Sequence, residues 1–544
     1  MAHGRMMDFP LTLTHFVERA ATQFPKSKIV SRLCDGTIHR TTHGELARRA
    51  KLLASGLAKL GVKKGDRVAT LAWNNFRHLE AYFAAPCMGA VLHTLNLRLH
   101  PTEIAYIASH AEDKVVIVDE SLLPLFEKFR AQIPTLETVI VLSRTSGKYE
   151  GDAGLDYEAV IASGDPGYEF PEIADERDEA MICYTSGTTG NPKGVLYSHR
   201  SLALHSLATL FADGLGMGER DVVLPVVPMF HANTWGLAHG AIGCGADIVF
   251  PGPKLDGESC LELMDSERVT IAAGVPTIWL GILALLDADP KKYDLSSIRT
   301  MVVGGSAAPA SMIDGFQKRH GLEVLHAWGM TETSPLGTIC RVKKTLAKGT
   351  DAELLETRAS QGFPALFVET RHVDDEGKLL PWDGTSMGEL EVRGPWVASS
   401  YIGDEGKERW SQDGWFKTGD VVTIDANGYV RITDRSKDVI KSGGEWISSV
   451  AVENALMAHP AVLEAAVFAA SHPKWSERPV AAIVLKKGQT TTHEELRAHL
   501  TPHMSKIWLP DATVFVEQIP RTSTGKFLKS KLRSVHGGIL EKKS

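Results

Sequence analysis

Short β-branched runs alternate with stretches of helical spacing along most of this chain, and that rhythm leaves few folds open. Residues 66–72 read as a strand and 78–88 as the helix after it, while 115–118 and 139–142 are further strands with helical sequence between them. Earlier, 11–24 carries apolar residues at helical spacing and stops at Pro25. Residues 42–60 form a clearer helix, with Thr42 placed to cap it and Gly61 to end it. Alternation of this kind predicts parallel sheets covered by helices, because joining parallel strands takes a crossover long enough to hold a helix. Over 544 residues one core does not suffice, so at least two domains are expected.

Three expected strands break into polar or glycine-rich loops. The most distinctive loop follows 178–184 and reads Thr185-Ser186-Gly187-Thr188-Thr189-Gly190-Asn191-Pro192-Lys193-Gly194. Glycines let the backbone bend with positive φ and approach a ligand closely. The amides and hydroxyls of Thr185, Ser186, Thr188 and Thr189 can then surround an anion, with Gly187 and Gly190 bending the chain and Lys193 adding charge. A slack polar turn is the alternative, and the apolar strand in front with Val195-Leu196-Tyr197 behind argues against it. Nor is it a Walker A loop, since Pro192-Lys193-Gly194 stands where Gly-Lys-Ser/Thr would be required. The other two loops are Gly304-Gly305-Ser306-Ala307-Ala308-Pro309, after 300–303, and Ala327-Trp328-Gly329-Met330-Thr331-Glu332-Thr333, after 322–326. Ligands collect at the carboxyl ends of strands in open α/β sheets, so the three loops should line one crevice. A further strand, 222–230, ends at His231, and 235–242 looks helical.

After about residue 361 the texture changes to glycine-punctuated alternation, which suggests antiparallel strands in a small barrel over 361–434. Asp434-Arg435-Ser436-Lys437-Asp438 reads either as a solvated turn or as a hinge between domains. The remaining stretch, 435–544, mixes strands with a helix over 492–503 and suits a small α+β lid on a large domain spanning 1–434. A net charge of −7 gives no electrostatic reason to bind nucleic acid or an anionic membrane. No apolar run reaches a membrane span, and the start MAHGRMMDFP lacks a signal-peptide core. Six cysteines without CxxC spacing fit reduced thiols in a cytoplasm better than disulfides or a zinc site.

The loop at 185–194 resembles the phosphate loop of the adenylate-forming enzymes, which include acyl-CoA synthetases, luciferases and peptide-synthetase adenylation domains. The likeness covers nearly the whole chain, through Ala327–Glu332, Gly414-Trp415-Phe416-Lys417-Thr418-Gly419-Asp420, the run 434–444, and Pro520-Arg521-Thr522-Ser523-Thr524-Gly525-Lys526. It implies ATP, Mg²⁺ and coenzyme A as reactants and cofactor, with Glu332 and Thr185 holding a Mg²⁺ that keeps several waters and Thr331 at the α-phosphate. Asp420 would accept the ribose hydroxyls with Arg435 beside it, and adenine would lie between Trp328 and the backbone of Gly305, Ser306, Ala307, Ala308 and Pro309. Ala327, Gly329 and Met330 complete that implied nucleotide site; many relatives carry Tyr at the position of Trp328. Lys526 is the implied catalytic cation, brought to the α-phosphate by a mobile tail. The wording Pro228-Met229-Phe230-His231 followed by Trp235 is similar to fatty-acyl-CoA synthetases, which implies an acyl site at His231, Trp235, Val303, Gly304 and Gly329, with Trp235 as a gate. Lys441, Ser442, Gly443, Gly444, Glu445 and Trp446 resemble that branch's CoA tunnel, and Lys437 its hinge.

The expectation is therefore an ATP-dependent acyl-CoA ligase of α/β class, working through an acyl adenylate and, like many relatives, as a homodimer. Overall wording is most like short- and medium-chain acyl-CoA synthetases, among them the bacterial 3-methylmercaptopropionyl-CoA ligases of dimethylsulfoniopropionate breakdown. A longer fatty acid stays open as substrate. A luciferase-like oxygenase shares the adenylation step and also stays open, whereas a non-catalytic nucleotide-binding regulator would be expected to lack Glu332 or Lys526, and both are present. A peptide-synthetase adenylation domain would need a carrier domain, for which the sequence after Lys526 leaves no room.

Overall fold

The computed structural model describes residues 5–185, 191–436, 438–442, 445–502, 504–522 and 526–540. The expected alternation resolves into two large sheets. The nine-stranded one runs Phe363–Pro364, Leu336–Ile339, Val324–Gly329, Thr300–Val303, Ile271–Gly274, Val222–Pro225, Asp247–Phe250, Lys28–Arg32 and Ile38–Thr42. Its interior pairs are parallel and its edges antiparallel. The seven-stranded sheet runs Leu155–Asp156, Thr138–Leu142, Asp113–Asp119, Arg67–Leu71, Val91–Thr94, Glu179–Tyr184 and Gly194–Ser198. Only its last pair is antiparallel, so the phosphate-loop stretch bridges a hairpin rather than joining a strand to a helix.

Helices His43–Lys59 and Phe76–Cys87 lie between the sheets. One continuous core joins their Leu53, Leu79, Tyr82 and Phe83 to Leu92 and Ile140 of one sheet and Ile248 and Ile271 of the other. Helices Gly257–Ser266, Pro276–Ala288 and Ala310–His320 cover the far face of the nine-stranded sheet, and Pro101–His110 the far face of the seven-stranded one. The stack is helix, sheet, helix, sheet, helix. Local chemistry sets the helix ends: the Thr42 hydroxyl accepts from the Glu45 amide at 3.3 Å, and Gly61 leaves the helix at φ +91°. The second helix begins at Phe76 because Asn75 accepts the His78 amide at 3.0 Å.

The stretch 361–434, expected as a small barrel, holds an antiparallel sheet of Glu369–Val373, Gly388–Arg393, Phe416–Ile424 and Val430–Arg435 in that order. Its last strand is bridged in turn at Val430 to Gly362, beside the edge strand Phe363–Pro364 of the nine-stranded sheet. The last sheet, Glu445–Ile447, Ile440–Ser442, Ser476–Leu485 and Val462–His472 with Ala512–Phe515 parallel to Ser476–Leu485, builds the smaller C-terminal unit with its own core. The helix expected over 235–242 begins only at Leu237. Before it, Ala232, Asn233, Thr234, Trp235 and Gly236 take φ from +42° to +74°, a turn of left-handed backbone. No helix among the described residues is long and apolar enough to cross a membrane, and the six cysteines are free thiols.

Candidate active site

The ends of Glu179–Tyr184, Thr300–Val303 and Val324–Gly329 meet at one cavity of about 410 Å³, as the three-loop argument requires. Thr185, Lys193, His231, Trp235, Gly304, Gly305, Trp328, Glu332 and Lys526 all line it. The phosphate loop is pinned at its base, where the Thr185 amide donates to the Lys193 carbonyl at 2.9 Å and the Lys193 amide to the Thr185 hydroxyl at 3.2 Å. Ser186, Gly187, Thr188, Thr189 and Gly190 lie outside the described residues. Two more side chains, absent from the sequence reading, complete the phosphate end. Tyr401 donates its hydroxyl to Glu332 Oε1 at 2.5 Å and places its ring 5.3 Å from the Lys193 ammonium. Burial, reinforced by the Glu332 charge, raises the Tyr401 pKa. Arg409 lines the same wall and donates to the Thr418 carbonyl at 2.9 Å. Both come from the irregular segment between two strands of the small sheet, where no periodicity marks them.

Thr331 and Glu332 follow a buried strand and are themselves buried, and the Tyr197 hydroxyl donates to the Thr331 carbonyl at 2.7 Å. Gly329 admits no side chain, since a Cβ there would meet the Pro335 carbonyl oxygen at 1.9 Å. No cluster of three or more His, Cys, Asp or Glu suited to a metal occurs among the described residues. A single buried carboxylate, Glu332, lining the same cavity as Thr185 fits Mg²⁺, which takes most of its ligands from phosphates and water.

A second cavity of about 180 Å³, on the side where the nucleoside candidates lie, shares Gly305, Trp328, Arg435 and Lys526 with the first and adds Ser306, Ala307, Pro309 and Asp420. Asp420 and Arg435 face each other across neighbouring strands, Arg435 Nε lying 3.0 Å from Asp420 Oδ1. Trp328 Nε1 donates to the other carboxylate oxygen at 2.8 Å, so the indole is tied to the ribose-binding candidate as well as lining the second cavity. His326, buried and with its pKa lowered to about 4 chiefly by that burial, is neutral. Its Nε2 accepts the Ala308 amide at 3.4 Å and ties down the loop 304–309.

At the acyl end His231 lines the cavity, with its pKa lowered to about 4 by burial and then by the charges of Lys526 and Arg98. The left-handed turn lays the Trp235 ring against Gly304, whose added Cβ would sit 3.1 Å from it. Val303, expected to face the acyl group, does not: it packs with Met301 and Val324 in the core on the opposite face, and Val302 lines the cavity. Side chains alternate along a strand, and a one-residue offset changes the face. Ala308 likewise sits in that core with 1% exposure and contributes only its backbone. Of the CoA-tunnel candidates, Lys441 and Ser442 line neither cavity; Ser442 is buried and accepts from Arg478 at 3.2 Å. Glu445 and Trp446 belong to the adjoining strand, and Lys437, Gly443 and Gly444 lie outside the described residues.

Residues 17–402 match the family model of the AMP-binding enzymes, and 451–526 that of the AMP-binding enzyme C-terminal domain. Two curated relatives run the same length. A long-chain-fatty-acid–CoA ligase of Thermus thermophilus is 50% identical over 97% of this chain and 96% of its own. A 3-methylmercaptopropionyl-CoA ligase of Ruegeria lacuscaerulensis is 46% identical over 97% of this chain and 98% of its own. In three dimensions the chain superposes on the anthranilate CoA ligase AuaEII in complex with anthranoyl-AMP with a TM-score of 0.87, at 28% identity over 98% of this chain and 99% of that one. The chain belongs to the AMP-binding enzyme family and, within it, to the acyl-CoA ligases.

Proposed function

We propose that this ligase activates a short- or medium-chain carboxylate, such as 3-(methylthio)propionate, through an acyl adenylate. One observation carries the reading: Lys526, from the C-terminal unit, meets Thr185, Lys193 and Glu332 of the large unit around a single cavity. In the first half-reaction a carboxylate oxygen attacks the α-phosphorus of ATP, the bond to the bridging oxygen breaks, and pyrophosphate leaves. Lys526 and Lys193 supply fixed positive charge where negative charge accumulates. His231 is neutral at pH 7, so it adds no counter-charge that would hold the attacking carboxylate back. Glu332 and Thr185 would hold Mg²⁺, which supplies further charge neutralisation at the phosphates. In the second half-reaction the CoA sulfur attacks the acyl carbon and AMP leaves.

The two half-reactions need different surfaces over one cavity, and here Lys526 occupies it while Lys441 and Ser442 stand away. That supports a large domain of 1–434, carrying the small sheet of 361–434, and a lid of 435–544 that turns about Lys437. A cytoplasmic homodimer is part of the same proposal; the uncrosslinked thiols fit a reducing compartment, and light scattering measures the oligomer. A longer fatty acid is the second reading, favoured by Leu215, Leu237 and Leu336, which give the cavity an apolar wall beyond what a nucleotide needs. Exchange of labelled pyrophosphate into ATP across a panel of carboxylates decides both points. Exchange is expected with short and medium acids, to be lost in Lys526→Ala while that variant still forms thioester from supplied acyl-AMP. No exchange with any acid, or equal loss of both half-reactions in the variant, would overturn the reading.

A further inference from the structure

A buried charge cluster joins the lid to the large domain along the wall of the second cavity. Lys529 opens helix Lys529–His536, three residues beyond Lys526. Its ammonium lies 2.7 Å from Glu453 Oε1 and 3.9 Å from Asp434 Oδ1, and it donates to the Ser449 hydroxyl. All three charged side chains are at most 8% exposed. A cation in the first turn of a helix opposes the helix dipole, so this placement is held by the carboxylates around it. Burial works against the Lys529 charge, and Glu453 and Asp434 more than offset it, leaving its pKa raised. Glu453 and Ser449 belong to the lid, on helix Ser449–Met457, and Glu453 also accepts the Val467 amide at 2.7 Å. Asp434 does not: it lies on strand Val430–Arg435 of the small sheet, before residue 437. Its Oδ2 accepts the Ser449 amide at 3.2 Å, and the Ser448 hydroxyl donates to the neighbouring Thr433 carbonyl at 2.6 Å. Arg533, one helical turn beyond Lys529, pairs with Asp438.

We propose that Asp434 and Lys529 form a latch across the hinge, positioning Lys526 over the α-phosphate for adenylation and parting when the lid turns for thioester formation. The inference rests on the two-step reading above. Within the lid, Lys529 and Glu453 already make a neutral buried pair, so Asp434, which also lines the second cavity, is the member that ties that pair to the large domain. An ammonium that loses one of two carboxylates in a water-poor site loses much of what favours the closed state. Neither residue touches the reacting atoms; both act through Lys526.

The test separates the half-reactions in the full-length enzyme. Asp434→Asn keeps the shape and the Lys529–Glu453 pair, and is expected to lower kcat for labelled-pyrophosphate exchange five- to tenfold with the KM for ATP unchanged. Thioester formation from supplied acyl-AMP and CoA should run at no less than the wild-type rate. Lys529→Met should shift the balance the same way and more strongly, and the double variant should be no worse in exchange than Lys529→Met alone. Exchange within twofold of wild type in Asp434→Asn overturns the latch, and so does a parallel fall in both half-reactions. Failure of the underlying reading looks different, because the wild-type enzyme itself would then show no exchange.

Discussion

Asp420, the candidate acceptor for the ribose, has two side-chain partners, Trp328 and Arg435. A carboxylate offers about four acceptor positions on its two oxygens. Trp328 Nε1 takes one on Oδ2 and Arg435 one on Oδ1, which leaves one on each oxygen for two vicinal ribose hydroxyls. The indole therefore fixes the carboxylate as well as lining the second cavity, and a tyrosine at 328 would lack that nitrogen. Trp328→Phe keeps an aromatic face but removes the donor. A charge-assisted hydrogen bond contributes about 1.5–3 kcal/mol net, and since only part of it orients Asp420, the KM for ATP should rise about tenfold, or about 1.4 kcal/mol. The KM for the carboxylate should stay where it is. The increase should shrink when 2′,3′-dideoxy-ATP replaces ATP; a KM for ATP equal to that of wild type would refute the arrangement.

The turn Ala232–Gly236 shows where local preference yields to tertiary packing. Left-handed backbone costs roughly 1–2 kcal/mol for each residue with a side chain, and four such residues precede Gly236. Long-range contacts hold them there: Asn233 accepts from the Cys183 thiol at 3.3 Å, and the Thr234 hydroxyl lies 3.4 Å from the Tyr82 hydroxyl. Gly236 has φ +74°, and an added Cβ would lie 2.5 Å from the buried His205 ring. Gly236→Ala is therefore expected to cost roughly 2–4 kcal/mol from strain and overpacking. Thermal unfolding should register this as a lower Tm, with weaker carboxylate binding as Trp235 loses its seat; an unchanged Tm would contradict the account. Nothing in Ala232-Asn233-Thr234-Trp235 advertises such a turn, and helical spacing over 235–242 pointed the other way. Helices and strands with a clear period were legible because burial itself has that period, as at 42–60 and 139–142. Val302 and Val303 were not separable, since a fully buried strand hides which face meets the cavity. The crevice was legible from where strands stop, whereas Tyr401 on Glu332 and Trp328 on Asp420 arise from segments 69 and 92 residues apart. Lys526 was visible only through resemblance; by spacing alone it is a lysine in a loop.

The large domain is built around neutral histidines. His43, His78, His199, His205, His239 and His326 are each at most 1% exposed. Burial lowers their pKa to about 4, and to about 3 for His205 and His239. Unfolded, each returns to about 6.5. A folded pKa below the unfolded one means the contribution is complete above pH ~6.5 and is lost as pH falls, because the unfolded chain then binds protons that the native state refuses. At pH 5.5 each histidine removes roughly 1.4 kcal/mol, and six remove roughly 8 kcal/mol. Carboxyls act in the opposite direction: burial raises Asp119 to about 6 and also raises Glu80 and Asp113, so they offset part of the loss. A deficit of several kcal/mol remains against a total stability of about 5–15 kcal/mol. The lid is opposite in sign, since Glu453 is raised to about 7 by burial and binds its proton more readily when folded. Calorimetry between pH 7.5 and pH 5.5 should therefore show the large domain's transition moving down by roughly 5–8 °C, at about 1 °C per kcal/mol for a domain of this size, while the lid's does not follow it. A large-domain Tm that stays flat through pH 5.5 would mean that these histidines accept protons in place, and that the core between the two sheets admits water.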